Sequence, residues 1–264
     1  MDENATKMLA EVAKERSKDV YDDTFKPVAQ KTGDLLSLIP ETLYSALLPL
    51  RKWNLSREAE YIKFRQALEK TVENIPSEKL VAPEPYVAIP ALEAVSYSMD
   101  REELRDLYTN LLAKSMYEDT KDHVHPMFVE IIKQMSPLDA KVFKIIMERD
   151  DNPLIDLVYK RNKDFLTEHE IIMSNISDID IEKPQIVSLS IDNLAKQNLI
   201  SISKESFCSN DSVYDKILNS DFYKKQAELH PDKSDGYKFS YDKHTLEVTN
   251  IGKAFYEICM TKFH

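Results

Sequence analysis

Glycine is nearly missing from this chain: three in 264 residues, at positions 33, 236 and 252. The long stretch between the first two therefore has no residue that takes positive φ at low cost or lets a phosphate approach the backbone closely. A P-loop, a GxGxxG turn and a GxSxG elbow are all excluded. Cysteine is scarce as well. Cys208 and Cys259 are too few and too far apart for a disulfide framework or a zinc ribbon, so a reduced setting with idle thiols is expected. Basic residues are outnumbered, 35 against 46 acidic, for a net charge of −11. The deficit is shared by both halves, and neither has the cationic excess that neutralising nucleic-acid phosphates favours. The amino terminus is acidic and lacks an apolar leader, so a cytoplasmic location is expected.

What the chain does have is material for a core. Leu, Ile, Val and Phe make up 71 residues, above the roughly one-fifth below which chains tend to remain disordered. Residues 5–30 have the spacing of a weakly amphipathic helix. Residues 35–50 are the most apolar stretch, but Pro40, Glu41 and Pro49 interrupt it and it falls short of the roughly 20 residues a membrane span needs. With Arg51-Lys52-Trp53 behind it, the segment 35–53 reads as a buried helix first and as a membrane-surface contact second. A helix is expected over 56–73, with Tyr61, Phe64, Leu68 and Val72 on one stripe. Pro76, Pro83, Pro85 and Pro90 predict an extended crossing at about 76–90, and Pro90 then opens a short helix to Met99. Asp100 and Glu103 have capping-box spacing ahead of the stripe Leu104, Leu107, Tyr108, Leu111, Leu112. Pro126 opens a helix over 127–135.

Residues Pro90-Ala91-Leu92-Glu93-Ala94, the run Leu104 to Ala113, and His125-Pro126-Met127-Phe128-Val129-Glu130-Ile131-Ile132 continuing to Ala140 resemble the abortive-infection alpha (Abi-alpha) family. Tyr21-Asp22-Asp23, Pro27 and Gly33 extend the resemblance, which covers about residues 15–260. It implies a bacterial protein tied to phage resistance, and it brings no catalytic residues or chemistry with it.

In the second half, Ser136-Pro137 starts a helix, and strands are expected over 154–159 and 169–176, joined through the polar segment 160–168. Pro184 starts a helix that buries Ile186, Val187, Ile191 and Leu194. Strands at 199–203 and 245–248 and a closing helix over 251–260 follow. This order resembles a winged helix with an insertion at about 205–238, the insertion itself carrying a helix near 211–229. The fold expected is therefore mainly α: a helical domain over 1–135, then a winged-helix-like α+β domain over 136–264.

Ser188, Ser190, Asn193, Lys196 and Gln197 are the candidate partner- or DNA-contacting residues, since each can hydrogen-bond base edges, phosphates or a protein surface. No Arg follows Arg161, and Asp192 sits among them, so protein docking ranks above DNA. His123-Val124-His125 with Asp119 and Asp122 has alternate-residue metal spacing, but His125 before Pro126 suits a helix cap better. Asp22-Asp23 and Glu102-Glu103 diverge by about 100° on a helix and so do not converge as an acid/base pair. No cofactor, metal or nucleophilic triad is legible. The function expected is a non-enzymatic interaction protein of antiphage defence. Its partner is a protein, with phage proteins the first to search, and a transcriptional regulator and a membrane-associated effector are the alternatives.

Overall fold

The structure, a computed structural model, describes residues 48–163 and 166–262. The readings of 5–30 and 35–47, and the side chains of 48–58, Tyr61 and 162–166, lie outside the described residues. By its contacts the chain forms two compact units. One runs to Pro137 and is resumed by Ala254 and the residues after it, and the other is Leu138–Lys253.

The first unit contains α1 (Leu48–Val72), α2 (Pro85–Val95), α3 (Glu102–Ser115) and α4 (Met127–Gln134). Ten of the fourteen residues of α3 are buried, which makes it the central helix. Phe64, Leu68 and Val72 of α1, four residues apart, are buried as one stripe. Helix α2 begins at Pro85, not after Pro90, and Pro90 lies inside it. A proline there loses one backbone hydrogen bond. The helix keeps its form because Val87, Ala88, Ala91, Leu92, Ala94 and Val95 are all buried. Arg101 is the N-cap of α3, without a bond from its own side chain, and Glu102 and Glu103 complement the dipole in the first turn. His125 does cap α4, its Nδ1 accepting from the Met127 N–H at 3.1 Å.

The last turn of the chain, Tyr256–Met260, is a π-helix in the first unit. Its carbonyls are caught by α3: Asn110 Nδ2 donates to Cys259 O at 2.8 Å, and Lys114 Nζ donates to Glu257 O and to Thr261 Oγ1. Burial holds the Lys114 ammonium pKa below its ordinary range and pushes the Cys259 thiol up.

The second unit overturns the winged-helix expectation. After α5 (Pro137–Met147), the long strands β1 (Pro153–Lys163) and β2 (Leu166–Ser177) form a hairpin. Next come α6 (Pro184–Lys196), β3 (Ile200–Ser203), the short helices α7 (Asp215–Leu218) and α8 (Asp221–Leu229), β4 (Lys238–Val248) and α9 (Asn250–Phe255). The four strands make one curled antiparallel sheet in the order β2-β1-β4-β3. Of the polar segment expected as a connector, residues 160–163 and 166–168 are strand because charges pair across the ladder. Arg161 faces and ion-pairs Glu168, while Lys160 and His169 meet Asp242 at 2.6 and 2.9 Å.

Alternation along β1 separates two faces. Ile155 and Leu157 face the insertion, where Cys208, Tyr214 and Ile217 are buried against them and Ile176. Tyr214 OH donates to His244 O at 2.7 Å and accepts from Cys208 N at 3.0 Å, anchoring the insertion to β4. Leu154, Asp156 and Val158 point to the other face, the side on which α6 is tied to β2.

Candidate functional site

Helix α6 carries every residue singled out as a contact except Gln197, which follows it. Its core stripe, Val187, Ile191 and Leu194, recurs at four and three residues and is fully buried. Proline at its first turn sets the start. The end is a Schellman turn: Leu199 N bonds Leu194 O, Asn198 N bonds Ala195 O, and Asn198 takes φ 58° where glycine is usual.

The hydrophilic residues of this helix mostly work inward. Ser188 is buried, and its hydroxyl donates to Ser174 O of β2 at 2.6 Å. Ser190 is buried. Asn193 Nδ2 donates to Oδ2 of the buried Asp139 on α5 at 3.0 Å. Gln197 is buried, and neither of its amide atoms has a hydrogen-bond partner. Lys196 alone of the five is exposed. Two of the five, Ser188 and Asn193, therefore fasten the helix to its own unit.

The outward face is different. Opposite the core stripe stand Gln185, Leu189, Asp192 and Lys196, all exposed. Leu189 is 67% exposed, Ile186 at the edge of the same face 42%, and Ile181 just before the helix 43%. The sequence reading had buried Ile186 and passed over Leu189. Their i, i+3 spacing, offset by about 100° or more from the core stripe, was the signal available.

Beneath this helix lies a buried polar chain. Asp156, in a bulged part of β1 and 3% exposed, accepts from Lys204 Nζ at 2.8 Å and from the Asn175 N–H at 2.9 Å. His244 Nε2 is 3.1 Å from Asp156 Oδ1 in a poorly aligned contact. Asn175, at φ 57° on β2, passes the chain onward, its Nδ2 donating to Asp192 Oδ1 of α6 at 2.6 Å. Burial alone would raise the Asp156 carboxyl pKa. The nearby His244 ring and the bonds from Lys204 and the Asn175 N–H outweigh it and bring that pKa down to about 2. Neither ring nitrogen of His244 hydrogen-bonds a hydroxyl or thiol, so the cluster does not form a nucleophilic triad among the described residues. What it does is hold Asn175 of β2 in place, and through it Asp192 of α6.

The paired histidines do not join a ligand set: among the described residues no group of three His, Cys, Asp or Glu could hold a metal ion. No described helix is long and apolar enough to cross a membrane. Both cysteines are free and buried.

The sequence model of the family described as abortive infection alpha matches residues 56–259. That span contains the segments at 90–94, 104–113 and 125–140 and leaves out Tyr21-Asp22-Asp23, Pro27 and Gly33. No curated protein and no solved structure matches the chain.

Proposed function

The chain belongs to the abortive infection alpha family, and from that premise we propose that it is a non-enzymatic interaction protein of antiphage defence whose docking face is the outer side of α6. The observation that carries this reading is the pair Leu189 and Ile186, left exposed on a helix that is otherwise pinned from β2 and α5. Single exposed aliphatics are ordinary, whereas two at i, i+3 spacing on one rigid helix suit a partner's apolar surface. A helix already held in place loses little further freedom on binding, so more of the contact energy is available as affinity. The acidic balance of the chain favours a protein partner over nucleic acid.

Leu189→Asp tests the proposal. An exposed leucine contributes little to folding, so the variant should keep the wild-type melting temperature within about 2 °C. It should lose partner affinity by roughly 30-fold, the size of a central hot spot. The phage resistance of a sensitive host expressing the protein should fall with it. Full protection by a folded Leu189→Asp protein, measured as efficiency of plating, sinks the assignment of this face.

A further inference from the structure

The first unit contains a half-open cleft of about 640 Å³ bounded by α2, the α2–α3 turn, α3 and α4. Its volume lies in the range of sites that take small molecules, roughly 300–1,000 Å³. Pro90, Ala94 and Leu104 give it an apolar lining. Three other lining residues are exposed: Glu93, Tyr97 and Lys133. Glu93 and Tyr97 are four residues apart, and the helical turn continues past the end of α2, with Ser96 in the αR region and Tyr97 N bonded to Ala94 O at 3.2 Å. That spacing puts the carboxylate and the ring on one side, a single turn apart. Tyr97 is 67% exposed, an unusual degree for an aromatic residue at the mouth of a recess.

Charge at this rim has one sign. Lys133 is held by Glu130 at 3.0 and 3.2 Å, so those two nearly cancel. Ser96 Oγ bonds the Glu93 carbonyl, and the Glu93 carboxylate itself has no partner among the described residues. The rim therefore carries about one uncompensated negative charge, in a chain whose net charge of −11 already draws cations. A phosphate or carboxylate would be repelled there. An ammonium group would meet opposite charge at Glu93 and the negative face of the Tyr97 ring one turn away. The recess behind them offers an apolar body a place out of water.

We propose that this cleft binds an organic ammonium with an apolar body, its cation between Glu93 and Tyr97 and its body against Pro90, Ala94 and Leu104. The site lies in the first unit and does not rest on the reading of α6.

The test uses the full-length protein and thioflavin T, a monocationic apolar dye whose emission rises when it is immobilised. Saturable emission is expected from the wild type. Glu93→Gln, which keeps the shape and removes the charge, and Tyr97→Ala should each weaken binding about fivefold. Tyr97→Phe retains the ring face and should stay within about twofold of wild type. Both positions are exposed, so the three variants should melt within about 2 °C of wild type, and lost binding cannot be put down to misfolding. Glu228→Gln removes an exposed carboxylate of α8 in the second unit and should change nothing, which separates the cleft from general attraction of a cation to an acidic protein. Phenyltrimethylammonium should displace the dye. The anion 2-naphthalenesulfonate, and acetyl-lysinamide, an ammonium without an apolar body, should not. Leu189→Asp should bind the dye as wild type does, so this site and the α6 face fail independently. No saturable emission, an affinity unchanged in Glu93→Gln or Tyr97→Ala, an equal loss in Glu228→Gln, or displacement by the sulfonate or the lysine amide would each overturn the proposal.

Discussion

Gly252→Ala is expected to cost roughly 3 kcal/mol or more, at the upper end of what overpacking does to a core. A Cβ at this position would stand 2.1 Å from the carbonyl oxygen of Leu199 and 2.9 Å from Cγ1 of Val248. The oxygen has nowhere to go. It accepts from the Thr249 N–H at 3.1 Å, while Thr249 Oγ1 donates to the neighbouring Asn198 O at 2.6 Å and accepts from Gly252 N at 2.9 Å. Relief would require the start of α9 to leave the turn between α6 and β3, breaking all three bonds. Gly236 offers a useful contrast. It sits at φ 91° with its nearest neighbour, the Arg161 side chain, 3.7 Å from a built Cβ, so alanine there meets backbone strain of about 1 kcal/mol and no clash. Urea unfolding of the two variants checks this: a Gly252→Ala midpoint no lower than that of Gly236→Ala would falsify the packing argument.

Asp156→Ala should lose about 3 kcal/mol, near the lower bound for breaking a buried ion pair. The lower bound applies because Lys204 is half exposed and can turn to water once its partner is gone. The Asn175 N–H cannot, since it is buried on β2 and held at positive φ. Acid should reach the same energy by another route. The folded-state pKa of Asp156, about 2, lies below its ordinary 3.8. Its contribution is therefore complete above about pH 5 and fades as pH falls through 2, for a total on the order of 2 kcal/mol. Asp156→Asn cannot titrate at that position. Melting temperatures at pH 7, 4 and 2.5 should fall less steeply for Asp156→Asn than for wild type. Parallel curves would mean that the buried carboxylate plays no part in acid lability.

Much of the helical layout was legible from local signals. Proline at the first turn placed α5 and α6 close to their observed starts, and Pro126 ahead of Met127 did the same for α4. These signals act within one turn of chain, since a fixed φ or a capping side chain needs no distant partner. Pro90 misled because its helix lies in a buried apolar environment, where packing outweighs one missing backbone bond. The insertion helix near 211–229 was placed correctly but is broken at Asn219–Ser220 into α7 and α8, with Ser220 capping the second by accepting from Tyr223 N.

The sequence by itself determined the family, through ordered strings of residues between 90 and 140, and the boundaries of helices whose ends carry their own caps and prolines. The sheet was decided by tertiary structure. Lys160, Arg161, Glu168 and His169 look like a polar loop until β2 and β4 lie beside them, because ion pairs across a ladder join residues up to 82 apart in sequence. The role of α6 was decided in the same way. Ser188 and Asn193 became fasteners because Ser174 and Asp139 happen to face them, and Leu189 and Ile186 were left outside because no element of the second unit covers that side. A helix's own period shows that it has faces. Which face meets protein and which meets solvent is settled by residues far along the chain, and that is why the sequence alone does not separate the inward-bonded Ser188 and Asn193 from the exposed Leu189 and Ile186.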